Sequence, residues 1–324
     1  YGIGWMGVLY ITSQKQNSGK TTLSAALASL LIDSGKVVDI AKPFSDNRTL
    51  EEGDRFNLSK LLDKDYSLQN EQSLDAAIAS IKESSSKHEF VIVEALSSIP
   101  VEEQVSFVEE IKAQALIVSI PSTMESDADF SSRFGSSVCG VVLNQVSKYA
   151  QMQTEHIMQQ NLSPYDVYLL GTIPEDRTLL SLSVAQICEN LSGQMYGEVQ
   201  NTESLVEHFM VGGFGMDPGE YSFATRDKKA VVVRGDRPDV QMSALNTDME
   251  CFIMTNGMDP IEYIKYEAVE EGVAIMIVQS DTLDTMENIS KLQQLAEFDH
   301  PDKLSKAKKL VSDYINVEQL LSKS

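Results

Sequence analysis

The chain is 324 residues long, enough for about two domains of average size, and 42% of it is apolar, so each has material for a core. With 26 Lys and Arg against 48 Asp and Glu, the formal charge is −22, which repels nucleic-acid phosphate and anionic lipid and excludes coating of nucleic acid as a role. No run reaches the roughly 18 apolar residues of a membrane helix and no basic stretch precedes a long apolar one, so the sequence reads as a soluble, cytoplasmic protein without a membrane or nucleic-acid partner.

Tyr1 to Trp5, ahead of Met6, carry no pattern and are set aside as a remnant outside the fold. From Gly7 the pattern predicts a strand (Val8 to Ile11), a polar loop with a glycine, and a helix with Leu23, Ala26, Leu27, Leu30 and Leu31 at three-to-four spacing, ended by Gly35. A strand at Val37 to Ala41, a helix carrying Leu74, Ala77, Ile78 and Ile81 on one face, and strands at Phe90 to Val93, Ala115 to Ile120 and Val138 to Leu143 follow. Strands alternating with helix-length segments predict a doubly wound, parallel α/β sheet. A Gly/Gln/Asn-rich stretch over 191–204 reads as the connection to a second, smaller α/β pattern. There, Ala230 to Val233, Cys251 to Met254 and Ala274 to Val278 are predicted strands, with helices from Pro238, from Pro260 and after Asp281, whose carboxylate suits an N-cap. The tail, Lys303 to Ser322, has helical spacing and reads as packed. The expected division is a first domain over 6–195 and a second over 205–324. Cys139, Cys188 and Cys251 are widely spaced in apolar surroundings and read as buried thiols.

Charge is unevenly spread. Residues 1–50 hold five cations and three acids, a net of +2, which leaves −24 for the rest. A phosphate ligand is therefore expected in that first segment. Its motif is Ser13-Gln14-Lys15-Gln16-Asn17-Ser18-Gly19-Lys20-Thr21-Thr22, between a predicted strand and helix. In such a phosphate loop, backbone amides and the helix N-terminus face phosphate oxygens, the lysine reaches the terminal phosphates, and the first Thr hydroxyl binds Mg2+. Lys15, Asn17, Ser18, Gly19, Lys20, Thr21 and Thr22 are thus candidate nucleotide contacts. Gln14 stands where the simple pattern has glycine. Lys15, five residues before Lys20, either fits the deviant form of the loop, whose second lysine reaches phosphate across a dimer, or is a solvated loop residue.

Ala41-Lys42-Pro43-Phe44 after the second strand, Asp54, and Val91-Ile92-Val93-Glu94 at the third strand complete a pattern that resembles the dethiobiotin synthetase-like branch of P-loop proteins. The resemblance implies that Lys42 faces phosphate and substrate and that Asp54 and Glu94 help Thr21 to hold Mg2+. Glu94 emerges at a strand's carboxyl end, where α/β proteins bind ligands, the lesser alternative being a strand-end carboxylate that points to water; Asp54 lies in a charge run and reads as evenly balanced between a metal ligand and an exposed charge. Glu94-Ala95-Leu96-Ser97-Ser98 lacks the glycines that synthetases of this branch carry there. Asn144, ending Gly140-Val141-Val142-Leu143-Asn144, resembles the residue that reads the adenine edge, and is otherwise a turn residue.

Leu170-Gly171-Thr172-Ile173-Pro174-Glu175-Asp176-Arg177 resembles the end of this module in the N-terminal, regulatory part of long bacterial phosphate acetyltransferases. Val231-Val232-Val233-Arg234-Gly235-Asp236-Arg237, with Ser280-Asp281-Thr282, is similar to the DRTGG domain that follows it there. Asp236 and Arg237 either meet an unknown small molecule or form an ion pair that fixes the turn. The chain ends where the acetyltransferase domain would begin, so that activity is not implied. The leading expectation is an ATP- and Mg2+-binding regulatory or sensing protein, a homodimer by resemblance, with slow hydrolysis as an added expectation. The alternative is an ATP-dependent ligase of the dethiobiotin or cobyrinic acid type, with Lys20 and Lys42 as catalytic groups. A scaffold that has lost nucleotide binding is the third reading.

Overall fold

The structure, a computed structural model, describes residues 7–43, 57–63, 73–95, 99–197, 201–213 and 217–322. The chain forms two compact units, one of Tyr1–Asp176 with Phe298–Ser324 and the other of Arg177–Glu297. Among the described residues no helix is long and apolar enough to cross a membrane.

The first unit alternates β1 (Gly7–Thr12), α1 (Lys20–Asp33), β2 (Val38–Ala41), α2 (Leu74–Lys87), β3 (Phe90–Glu94), α3 (Val101–Glu110), β4 (Gln114–Ser119), α4 (Met124–Ser132), β5 (Val138–Val146), α5 (Gln151–Leu162) and β6 (Leu169–Pro174). All strand pairings are parallel, in the order β2-β3-β1-β4-β5-β6. Strand residues of one parity, among them Tyr10, Val91, Val93, Ile117, Val141 and Leu143, share a core with Ala77, Ile81, Phe107, Phe130 and Met158 of α2 to α5. Residues of the other parity, such as Ile11, Ile92, Leu116 and Val142, are equally buried. Burial of both faces explains why these strands read as unbroken apolar runs.

Helix α1 has almost no polar face: Leu23, Ser24, Ala25, Ala26, Leu27, Ala28, Ser29 and Leu31 are all buried. Such a helix needs cover on both sides. It packs on β1, β2 and β3, and its outer side is covered by α11 (Pro301–Tyr314), near the end of the chain. Leu304, Ala307, Leu310 and Val311 form the apolar face of α11. Lys308 reaches Asp33 at the end of α1, and Lys306 pairs with Asp176 at 3.4 Å. Beyond α11, Ile315 bridges antiparallel to Gly171, and Asn316 N–H donates to the Leu170 carbonyl at 3.1 Å, before α12 (Val317–Ser322). A Cβ on Gly171 would stand 1.9 Å from the Tyr314 carbonyl oxygen, so glycine is required by this close approach.

The second unit contains β7 (Leu182–Ser183), α6 (Val184–Asn190), β8 (Gln194–Met195), β9 (Leu205–Val206), β10 (His208–Val211), α7 (Asp217–Phe223), β11 (Lys229–Arg234), α8 (Pro238–Leu245), β12 (Cys251–Thr255), α9 (Glu262–Glu270), β13 (Ala274–Ile277) and α10 (Thr282–Leu292). Its sheet runs β10-β11-β12-β13-β8, with β8 antiparallel on the edge and β7-β9 a separate pair. Separate cores fill its two faces. Ser183 and Gln186 close a capping box on α6, and Asp281 caps α10 as expected, its Oδ1 accepting from Asp284 N–H at 2.9 Å.

Two sequence expectations are corrected. The tail lies with the first unit and not in a domain over 205–324, because its apolar face closes over α1 and its end joins β6. The polar stretch over 191–204 is not the connection: Gln194–Met195 within it is an edge strand of the second sheet, and the change of unit falls between Asp176 and Arg177.

Candidate functional site

The strand order sets β1 between β3 and β4, so the loop leaving β1 emerges where the sheet's connections diverge to either side. Asn17 and Gly19 adopt left-handed conformations, with φ of 56° and 91°. They turn the chain sharply into α1, whose first turn contains no acid and whose N-cap has no side-chain cap. Uncapped amides plus the helix dipole favour an anion there.

Lys20, only 8% exposed, folds back so that Nζ donates to Ser13 Oγ at 2.9 Å, while Ser13 Oγ donates to the Lys15 carbonyl at 2.8 Å. Burial lowers the Lys20 pKa, the charge of Glu94 opposes that shift, and Lys42 adds to it. Glu94 is level with Ile11 in the β1–β3 register and nearly buried. Its Oε1 accepts from Thr21 Oγ1 at 2.9 Å and pairs with Lys42 Nζ at 3.4 Å. Lys20, Thr21, Lys42 and Glu94, drawn from three segments, therefore meet at the carboxyl end of the sheet.

These residues fit a magnesium-nucleotide. Thr21 and Glu94 offer a hydroxyl and a carboxylate side by side. That donor set suits a metal that retains waters and phosphate ligands. Ser18 Oγ is buried without a hydrogen-bond partner among the described residues. Asp54 lies outside the described residues. Thr22 is half-buried in the first turn of α1.

The remaining loop residues are held from both flanks. On one, Gln14 Nε2 donates to the Ser126 carbonyl at 2.9 Å, Ser126 Oγ donates back to Gln14 Oε1 at 3.1 Å, and Lys15 Nζ donates to Ser122 Oγ at 3.4 Å. On the other, Asn144 Nδ2 donates to the Ser18 carbonyl and Gln145 Nε2 to the Asn17 carbonyl, each at 2.8 Å. A Cβ on Gly19 would lie 2.3 Å from Asn144 Nδ2, so Gly19 answers to space as well as to its φ. Sequence reading placed Ser13 and Gln14 in the loop without their contacts, and missed Gln145, Ser122 and Ser126. The Asn-Gln pair ending a strand was a visible signal, but its partners lie far away along the chain.

In the second unit, Asp236 and Arg237 do not pair with each other. Arg234 is bidentate on Asp236 (2.9 and 2.6 Å), and Arg237 is bidentate on Asp239 (2.9 and 2.9 Å), which holds that carboxyl below the usual range. The turn is locked further by Gln241, which donates to the Arg234 carbonyl at 2.8 Å, and by Gly235, where a Cβ would meet the Met258 carbonyl oxygen at 2.0 Å.

A parallel sheet with a phosphate loop after its central strand defines a P-loop nucleotide-binding domain. Residues 9–186 match the CobQ/CobB/MinD/ParA nucleotide binding domain, and the chain belongs to that family. Residues 186–292 match the DRTGG domain, which stops before α11. Among solved structures, the chain resembles the MinC:MinD cell division protein complex of Aquifex aeolicus at 20% identity, over 54% of this chain and 83% of that one, with a TM-score of 0.41. It resembles the cell division protein ftsY of Thermotoga maritima at 15% identity, over 52% of this chain and 62% of that one, with a TM-score of 0.43. The CBS and DRTGG domains of Clostridium perfringens pyrophosphatase, complexed with the activator diadenosine tetraphosphate, match at 12% identity, over 46% of this chain and 72% of that one, with a TM-score of 0.30.

Proposed function

We propose that the first unit binds ATP with Mg2+ and that the protein acts as a cytoplasmic regulator or sensor, with its DRTGG unit reading or relaying the nucleotide state. The observation that carries this reading is the meeting of Lys20, Thr21, Lys42 and Glu94 at the loop. In it, Lys20 and Lys42 neutralise phosphate charge, the amides of the loop and α1 orient the phosphate oxygens, and Thr21 and Glu94 hold the metal. When bound, Mg2+ supplies charge neutralisation across the phosphates. The resemblance to dethiobiotin synthetases and to the regulatory part of phosphate acetyltransferases supports a homodimer, and the spacing of Lys15 from Lys20, as in the deviant form of the loop, supports a role for Lys15 at the partner's site. Light scattering with and without Mg-ATP tests that part. Asp236 and Arg237 are engaged within their own turn, so no ligand is assigned to them. Isothermal titration with Mg-ATP is the direct test: binding by the parent and none by Lys20→Ala is expected, and absence of binding by the parent would refute the proposal.

A further inference from the structure

We infer that Gln145, which the proposed site does not use, is a positioning residue for nucleotide binding that aims the amides of the phosphate loop from outside it. The inference rests on the nucleotide-binding reading above and adds to it a residue that touches no phosphate.

In a trans peptide the C=O of one residue and the N–H of the next point in opposite directions. Binding the carbonyl of Asn17 on the outside of the loop therefore fixes the N–H of Ser18 to point inward, and binding that of Ser18 fixes the N–H of Gly19. Gln145 holds the first carbonyl at 2.8 Å and Asn144 the second at 2.8 Å.

The backbone reports the same arrangement. Gln145 is left-handed, with φ of 57°, and so is Asn17, with φ of 56°, the residue whose carbonyl it holds. Left-handed conformations at residues other than glycine cost energy and persist where surrounding contacts over-determine them. At Gln145 that conformation lets a strand-end side chain turn to the loop. A loop with Gln14 in place of its first glycine and Asn17 in a strained state is thus shaped by side-chain amides as well as by Gly19.

Gln145→Gly separates a positioning role from a structural one, because glycine relieves the positive φ while deleting the amide. In the full chain its melting temperature is expected to stay within about 2 °C of the parent or rise, while the Mg-ATP dissociation constant measured by titration calorimetry weakens about 5- to 10-fold, the loss of one hydrogen bond. Gln145→Lys keeps a donor of similar reach and is expected to return the affinity to within about threefold of the parent. Equal affinity of the parent and Gln145→Gly would overturn the inference alone. So would loss of affinity in step with stability without rescue by Gln145→Lys. A parent that binds no nucleotide would overturn the binding reading and this inference with it.

Discussion

Glu94→Gln tests the chemistry of the site most sharply. The carboxylate lies 3.4 Å from Lys42 Nζ, with side-chain exposures of 5% and 15%, and its charge also acts on Lys20. At that distance the attraction is about 5 kcal/mol in an effective dielectric of about 20, before desolvation is charged against it. Removing one partner of such a nearly buried pair costs about 3 kcal/mol, and Gln can still accept from Thr21. For a unit of this size, that lowers the melting temperature of the nucleotide-free protein by about 6 to 12 °C. Nucleotide changes the sign of the argument, since triphosphate supplies the anion that Lys20 and Lys42 have lost. Metal-free ATP is therefore expected to bind the variant at least as tightly as it binds the parent, while the gain in affinity on adding Mg2+ disappears. Calorimetric titrations with ATP in EDTA and in excess Mg2+, on parent and variant, read both effects. A variant that retains the parent's full Mg2+ enhancement would refute the role given to Glu94.

Lys20→Ala should abolish the thermal shift given by Mg-ATP, which for the parent at about a hundred times the dissociation constant is roughly 2.7 kcal/mol, or about 5 to 10 °C. Lys20→Met should stabilise the nucleotide-free protein near neutral pH. The buried amine titrates below its unfolded value, so the folded parent carries a disfavoured charge below that lowered pKa and sheds it as pH rises toward the unfolded value. The stability advantage of the variant should accordingly shrink with rising pH in urea melts; an advantage that grew would refute the sign. Gly171→Ala forces a Cβ onto the Tyr314 carbonyl and Gly235→Ala forces one onto that of Met258. Each should destabilise its own unit by about 2 to 4 kcal/mol. In calorimetry Gly171→Ala should lower the transition that Mg-ATP raises, and Gly235→Ala the other.

The phosphate loop was readable because Gly19, Lys20 and Thr21 are contiguous and their job is set by local backbone geometry. Glu94 was readable because strand periodicity places it at a carboxyl end, and the register brings it level with Ile11, whereas Lys42 was singled out by the family resemblance. The braces were not: Gln14 meets Ser126 and Gln145 meets Asn17 across more than a hundred residues, and an amide side chain carries no mark of its partner. The tail shows the same limit at the scale of the fold. Spacing in Lys303 to Ser322 reveals an apolar face but not which surface it covers, and the partner surface belongs to a helix that begins at Lys20. For Asp236 and Arg237, the sequence left a ligand contact and a mutual ion pair open, whereas each is taken up by a residue two positions away, Arg234 and Asp239.

Because α1 is covered by a helix that starts at Pro301, the order in which the ribosome delivers the chain matters. All of the second unit has emerged once Glu297 is out, while the helix that carries the phosphate loop still has an apolar flank open to chaperones and proteases. A chain stopped at Glu297 should therefore yield a protease-resistant fragment spanning 177–297 and a rapidly degraded nucleotide domain. Support for the phosphate loop comes from residues that follow the whole second unit in the chain, so a chain interrupted before Pro301 is expected to be turned over before it can hold a nucleotide.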